Sequence, residues 1–300
     1  MVDKKIRQHT VPKVYLKHFA LERKNGRYLY TLDKKSGRLF EENIDDASVI
    51  KHFYTLDYNE DSEAWENYYA NEVEPLMEGV IGTLVKVSSS AMIQDRTVIF
   101  DAKIKKAIAG LMVIQYSRGQ NVRDYQEKLL TEFIPEARTQ LYKDFSYMDK
   151  NDIDEVLNKC ANDEKIKKQL FAEAIQYSNI NGNIQNAIAN RKWTLYRIAA
   201  GKGEFITSDN PILFLNDKTG DAKPFENGID FPEVTVYYTI SPKLVIACYH
   251  PERLVVENQL VVLNYDKEKE WVRKINRALY VQCSRQCYAH SLESLKDILT

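Results

Sequence analysis

Several things are scarce in this chain, and each scarcity excludes a class of protein. Four cysteines in 300 residues (Cys160, Cys248, Cys283 and Cys287) are too few for a disulfide scaffold. With no export signal they read as reduced thiols. Cys283 and Cys287 have only His290 close by, so a structural zinc site would still need a further ligand. The pair reads as two thiols on one face of a helix or loop. The opening Met1-Val2-Asp3-Lys4-Lys5-Ile6-Arg7 is charged and has no apolar stretch, which is not the pattern of a secretory leader. The longest apolar run, Ala107 to Ile114, is far short of the ~20 residues that span a bilayer. A cytoplasmic protein with no membrane partner is expected. A basic excess is also missing: 42 basic residues face 43 acidic ones, for a net charge of −1. Bulk electrostatics therefore give no support to a dedicated duplex-DNA binder, although a local basic cleft stays open. Finally, there is no GxxxxGK[ST], no GxGxxG after a strand, no GxSxG and no HExxH. Walker-type hydrolysis, Rossmann cofactor binding and serine-hydrolase chemistry are not expected.

What is present is an ordinary globular composition, 44% hydrophobic and 28% charged, with 19 tyrosines and 11 phenylalanines for half-buried positions. Pro12 suits the first turn of a short helix anchored by Tyr15, Leu16 and Phe19. Tyr28 to Leu32 and Arg38 to Phe40 flank a turn at Asp33 to Gly37 and predict a hairpin, with Phe53 to Leu56 as a third strand. From Ser62 the period becomes helical, with Trp65, Tyr69, Leu76, Val80 and Leu84 on one stripe and a kink or break expected at Pro75. Further helices are expected over Arg96 to Ser117 and Ile153 to Tyr177, punctuated by Asn181-Gly182-Asn183. Strands return at Trp193 to Ile198, Glu204 to Thr207, Ile212 to Leu215, Val234 to Ile240 and Leu244 to Tyr249, followed by a helix over Lys267 to Gln282. No repeat and no Gly/Ser-rich linker divides the chain. The expected architecture is a single α+β domain over 1–300, with a small N-terminal sheet (1–60), a helical middle (61–190) and C-terminal strands and helix (191–300). A central bundle of long helices would pack on a mixed or antiparallel sheet to which both ends of the chain contribute; two lobes is the alternative.

Polar residues at positions where the pattern asks for apolar ones are the candidates for function. Ile104, Ile108, Leu111, Gln115 and Arg118 form one helical seam whose last two members are polar. A buried arginine needs a partner, and its planar fork suits a carboxylate or a phosphate; at a frayed helix end it would instead reach water. Glu72 falls on the apolar stripe between Tyr69 and Leu76, where it reads as a general base, a metal ligand or a salt-bridge partner. Thr207-Ser208-Asp209-Asn210-Pro211 joins two strands; it is either an Asx turn or a loop presenting the Asp209 carboxylate at a strand end. His9, in Gln8-His9-Thr10-Val11-Pro12, precedes a helix and carries a group that titrates near neutrality.

The segment Gln8 to Ala20, with its His-x-x-Pro-x-x-Tyr-Leu-x-x-Phe pattern, resembles the opening of the bacterial family catalogued as domain of unknown function 4238. The likeness continues in Phe53-Tyr54, the helix bearing Glu72, Gln115 to Arg118, Phe205 to Pro211, Ser241-Pro242 and Ile275-Asn276-Arg277. Thr10 stands where an aromatic residue is frequent. The resemblance implies one intact domain and adds weight to His9, Arg118 and Asp209; it brings no established reaction.

Two readings follow. In the first, the protein is a hydrolase or transferase acting on a phosphodiester, nucleotide or nucleic acid, by analogy in anti-phage defence. His9, Glu72, Arg118 and Asp209 are its catalytic residues, with Gln115, Ser208, Asn210 and Asn276 binding substrate. A metal variant uses His9, Glu72 and Asp209 as ligands to a divalent ion. In the second, the same residues form a recognition pocket or a structural network in a non-catalytic binding module. The first requires the four catalytic candidates to line one cleft.

Overall fold

The computed structural model describes residues 7–55, 63–90, 93–177, 180–199, 201, 203–223 and 227–299, without the side chains of 172–181. The fold is α+β. The chain opens with β1 (Arg7–His9), α1 (Lys13–Leu16), β2 (Leu21–Arg23), β3 (Gly26–Asp33), β4 (Arg38–Asn43) and β5 (Val49–Lys51). The helical middle follows: α2 (Ala64–Tyr68), a π-helical segment (Tyr69–Val73), α3 (Glu74–Ser88), α4 (Ala102–Ser117), α5 (Gln120–Asp144), α6 (Lys150–Asn162), α7 (Glu164–Tyr177) and α8 (Ile180–Ala189). The last third holds β6 (Lys192–Ile198), β7 (Thr207–Ser208), β8 (Ile212–Asn216), β9 (Val234–Ser241), β10 (Leu244–Tyr249), β11 (Gln259–Leu263), α9 (Tyr265–Gln282), β12 (Gln286–Ala289) and α10 (Leu292–Lys296).

The organising layer is a five-stranded sheet ordered β11-β6-β10-β9-β8, antiparallel except for the parallel pair β11–β6. Its middle strands β9 and β10 are buried along their whole length. Period-two alternation sends their side chains to two separate cores. Val236, Tyr238, Ile240, Ile246 and Cys248 meet α1, α3, α4 and α8 through Tyr15, Leu16, Met77, Ile81, Ile108, Met112 and Ile188. Tyr237, Val245, Ala247 and Tyr249 meet α9 and the other sheet through Ile275, Leu279, Phe205, Leu32 and Cys287.

That other sheet runs β2-β3-β12-β7, with β4 on the opposite edge of β3. It mixes N-terminal and C-terminal strands, as expected. Its edge strand β7 leads directly through Asp209, Asn210 and Pro211 into β8, the edge of the central sheet. The Thr207–Pro211 segment is therefore the corner where the chain passes from one sheet to the other.

The α1 anchor forms as its pattern predicts: Tyr15, Leu16 and Phe19 are fully buried. The Tyr15 hydroxyl bonds the Thr207 hydroxyl at 2.7 Å and donates to the Thr239 carbonyl. Its ring stacks on Tyr238 at 5.4 Å.

Several elements differ from expectation. The third N-terminal strand is Val49–Lys51; Phe53 and Tyr54 lie in a bend, and Leu56 is outside the described residues. The region 153–177 is two helices, because the chain turns extended at Asp163 (ψ 110°). Asn181-Gly182-Asn183 lies in the first turn of α8. Arg96 precedes α4 in a left-handed turn (φ 67°), and the helix begins where Asp101 accepts a hydrogen bond from the Ile104 N–H. The 25-residue α5 was not expected, since no residue of it is fully buried and no apolar stripe marks it. Ion pairs help fix it to its neighbours, Arg138–Asp154 at 2.8 Å and Lys167–Glu127 at 2.7 Å.

The first long helix differs most usefully. Pro75 sits in the first turn of α3 without breaking the helical path, and the irregularity lies just upstream, in the π turn. A π turn takes up an extra residue and shifts which side chains face inward. The buried series is Tyr69, Val73, Met77, Ile81 and Leu84, while Leu76 is exposed.

Removing the Tyr15 hydroxyl should leave the Thr207 hydroxyl and Thr239 carbonyl short of a buried partner. Tyr15→Phe is expected to lower stability by about 1–3 kcal/mol in urea unfolding; an unchanged midpoint would contradict this account of the anchor.

Candidate functional site

The site begins with the backbone of the opening motif. Gln8 is fully buried; its Oε1 accepts from the Tyr54 N–H at 2.6 Å and its Nε2 donates to Thr55 Oγ1 at 3.2 Å. Thr10 pairs its hydroxyl with that of Ser48 at 2.5 Å, and the Val11 N–H donates to Ser48 Oγ at 3.0 Å. These bonds lash the 48–55 loop to β1 and place Phe53 and Tyr54. The end of α4 grips the same segment: Gln115 Nε2 donates to the Thr10 carbonyl at 3.0 Å and Arg118 Nη2 to the His9 carbonyl at 2.5 Å.

Arg118, the C-cap of α4, is only 3% exposed. Its Nε donates to the Tyr54 hydroxyl at 2.9 Å, and that hydroxyl donates in return to the Arg118 carbonyl at 3.2 Å. Its guanidinium lies 4.1 Å from the Tyr69 ring centroid and 5.2 Å from that of Tyr54. The π turn presents the Tyr69 ring here. Nη1 is buried with no hydrogen-bond partner among the described residues. Arg191, a second buried arginine, shows the contrast: its Nη1 donates to the carbonyls of Val234 and Cys248, and its Nη2 to that of Ile229. Arg191 is spent on structure, whereas Arg118 keeps a donor in reserve.

Beside Arg118 opens a small cavity of about 40 Å³. Phe53, Tyr54, Trp65, Tyr69 and Phe171 supply its aromatic walls, and Arg118, Arg123 and Lys168 bring three cations. Arg123 Nη2 donates to the Phe53 carbonyl at 2.6 Å, and its guanidinium sits 3.7 Å from the centroid of the Phe53 ring. Lys168 Nζ donates to the His52 carbonyl at 3.1 Å. Among the described residues no carboxylate lines the cavity. Glu74 exerts a field on Arg118, and Asp124 and Glu164 do so on Arg123, but none of the three is among the lining residues. Burial lowers the pKa of Arg123 and raises those of Tyr54 and Tyr69, so near neutral pH the walls are uncharged phenols around fixed cations.

The four catalytic candidates do not line one cleft; Arg118 alone lines this cavity. Glu72 is exposed, because the π turn rotates it off the buried stripe. Asp209 is committed to the corner between the sheets. Its carboxylate accepts from three successive backbone N–H groups, Ser284 at 2.9 Å, Arg285 at 2.6 Å and Gln286 at 2.9 Å, just before β12. Burial raises its pKa against the pull of those three donors. The structural reading of the turn is the one the contacts show. His9 closes β1, and its role toward Arg118 runs through its carbonyl. Burial first, then the Lys13 charge, lowers its imidazole to about 4 against a backbone hydrogen bond with Ile44. Its Nε2 is buried and unpartnered. Among the described residues no group of three or more His, Cys, Asp or Glu is placed to hold a metal, and the proposed trio of His9, Glu72 and Asp209 is not gathered.

The four binding candidates divide as well. Gln115 supports the site by holding Thr10, its Oε1 unpartnered. Ser208 Oγ accepts from the Asn210 N–H at 3.1 Å and donates to the Asn210 carbonyl at 2.9 Å, closing the corner turn. Asn276 is not a ligand group: its amide accepts from the Ile206 N–H at 3.1 Å and donates to the Glu204 carbonyl at 2.9 Å. Asn210 lines a different cavity. Sequence reasoning missed Trp65 as a wall, Arg123, Lys168 and Phe171. Phe53 and Tyr54 were noted only as a strand and a point of resemblance.

Fold and site together define an α+β protein with an aromatic, cation-bearing cavity at the end of a buried helix. The chain belongs to the family of proteins of unknown function DUF4238, whose model matches residues 7–293. Comparison with curated proteins and with solved structures returned no match. No helix among the described residues is long and apolar enough to cross a membrane.

The His9 imidazole gives a pH prediction. The unfolded chain takes up a proton near 6.5, while the folded chain does so only at about 4. Above 6.5 the group is neutral in both states and costs nothing. As pH falls from 6.5 to about 4, protonation favours the unfolded chain. His9→Gln should therefore lose less stability than the parent across that window, by up to about 3 kcal/mol. Urea unfolding at several pH values checks it, with NMR titration of the imidazole; a ring titrating near 6.5 would contradict the assignment.

Proposed function

We propose that this protein binds a phosphate-bearing ring compound, of the nucleotide type, in the cavity beside Arg118. The carrying observation is that, among the described residues, the Nη1 of a buried guanidinium has no partner and the cavity it lines holds three cations, five aromatic side chains and no carboxylate. A buried cation lacking an acid is costly; an incoming anion would neutralise it. A planar guanidinium suits the oxygens of a phosphate, and the aromatic walls suit a ring that stacks. The enclosed space is about 40 Å³, room for a phosphate group with the ring of the compound at the aromatic mouth, and none for a nucleic-acid duplex.

Binding is the part of the expected activity that the geometry supports best. Acid–base hydrolysis or transfer needs a group that titrates near neutrality, and the described residues of the cavity are arginines, a lysine, phenols, other aromatics, Ser117, Gly119 and Gln126. His9 is held neutral and approaches through its carbonyl. A recognition module is thus preferred over a hydrolase or transferase. A nucleotide ligand would be met in the cytoplasm.

The test is calorimetric titration with pyrophosphate, AMP, ADP and ATP at two salt concentrations. Saturable binding that weakens with salt is expected, at least about tenfold weaker in Lys168→Ala and in Arg123→Met. Absence of binding to all four, or affinities indifferent to both substitutions, would remove the proposal. Turnover of a nucleotide in the same samples would restore the enzymatic reading.

A further inference from the structure

The side chain of Asn210 has no use in the fold as described so far. The corner turn is closed without it, by Ser208 Oγ on the Asn210 backbone and by the Asp209 carboxylate on residues 284–286. Yet Asn210 is only 2% exposed, and its Oδ1 is buried with no hydrogen-bond partner. No hydrogen bond of its Nδ2 to a described residue is found either. A primary amide held this way costs stability, and an apolar residue of similar size would be cheaper unless the amide serves something that arrives later.

Asn210 lines a second cavity of about 210 Å³. Tyr116, Tyr125 and Phe214 provide aromatic walls, and Ile184 of α8 an aliphatic one. The Tyr116 and Phe214 rings are 5.3 Å apart and tilted by 58°. Burial raises the pKa of Tyr116, so it stays a neutral phenol. The neighbouring amide of Gln282 is fully engaged: its Nε2 donates to the carbonyls of Asn210 and Ile212, and its Oε1 accepts from the Phe214 N–H. Among the described residues no carboxylate lines the cavity, and the one cation that does, Lys223, is exposed. This environment differs from the three-cation cavity, although the two share a wall: Tyr116 faces one, while Ser117, Arg118 and Gly119 face the other.

We infer that the Asn210 cavity is a second ligand site, for a neutral planar heterocycle of the nucleobase type whose edge carries an adjacent donor and acceptor. An asparagine amide offers one acceptor and two donors whichever way it is turned. It reads such an edge in two parallel hydrogen bonds, as it does on adenine. The rings of Tyr116 and Phe214 supply stacking surface. The site stands apart from the phosphate-binding reading and survives its failure.

The test uses the full chain and uncharged probes, adenosine, guanosine, cytidine and uridine, in saturation-transfer NMR and calorimetry. At least one nucleoside should bind saturably. Asn210→Ala should weaken that binding by at least about tenfold while leaving the melting temperature unchanged or higher, because no hydrogen bond is lost. Ile184→Trp, which fills the cavity from α8, should abolish binding; Lys168→Ala, in the other cavity, should leave it unaltered. The inference is overturned if no nucleoside binds, or if Asn210→Ala binds as well as the parent. It is equally overturned if Asn210→Ala melts several degrees lower or fails to fold, which would make the amide structural. Loss of nucleoside binding in Lys168→Ala with retention in Asn210→Ala would assign the probe to the first cavity. Pyrophosphate titration of the same variants reports on that first cavity alone.

Discussion

The structure turns on a buried guanidinium that, among the described residues, no carboxylate touches. Arg118 closes α4 and donates to the carbonyl of His9 and the hydroxyl of Tyr54. Aromatic faces take the place of a carboxylate, with Tyr69 at 4.1 Å. A carboxylate would bind the cation more strongly and would also use it up. Carbonyl, phenol and ring contacts position the charge while leaving its field largely unneutralised, which is the condition an anion site requires.

The surrounding elements serve that arrangement. The opening motif acts mostly through its main chain: His9 and Thr10 present carbonyls to Arg118 and Gln115, while the Gln8 amide holds the Tyr54 backbone. Tyr15 ties the short helix after it to Thr207 and Thr239, and so to both sheets. The π turn brings Tyr69 over the guanidinium. A motif recognisable as a string of side chains thus functions as a backbone clamp with a few buried amides and hydroxyls.

Two groups of buried polar residues contrast in their hydrogen bonds. Asp209, Asn276, Gln282 and Arg191 give their polar atoms to nearby backbone. They solve a problem internal to the fold, because the corner between the sheets and the long loops beside α9 leave peptide groups that no strand satisfies. Arg118 and Asn210 each line a cavity and each retain a buried nitrogen or oxygen without a partner among the described residues. A polar residue in an apolar pattern shows only that some partner exists; whether it is the protein or a ligand depends on contacts made over long sequence separations.

By itself the sequence determined the fold class, the family, most strands of the last third, the α1 anchor and the seam from Ile108 to Arg118. All of these rest on local periodicity, on turn chemistry or on short motifs, which act within a few residues. Tertiary structure alone decided the rest. One extra residue in a π turn moved Glu72 to solvent. Three N–H groups some 75 positions along the chain claimed the Asp209 carboxylate. The cavity drew Phe53, Trp65, Arg123, Lys168 and Phe171 together from separate elements. Arg123, Lys168 and Phe171 sit on helices whose exposed, charged composition resembles a solvated surface. Which of their side chains converge is set by how helices pack on one another, and no periodicity along a single helix records that.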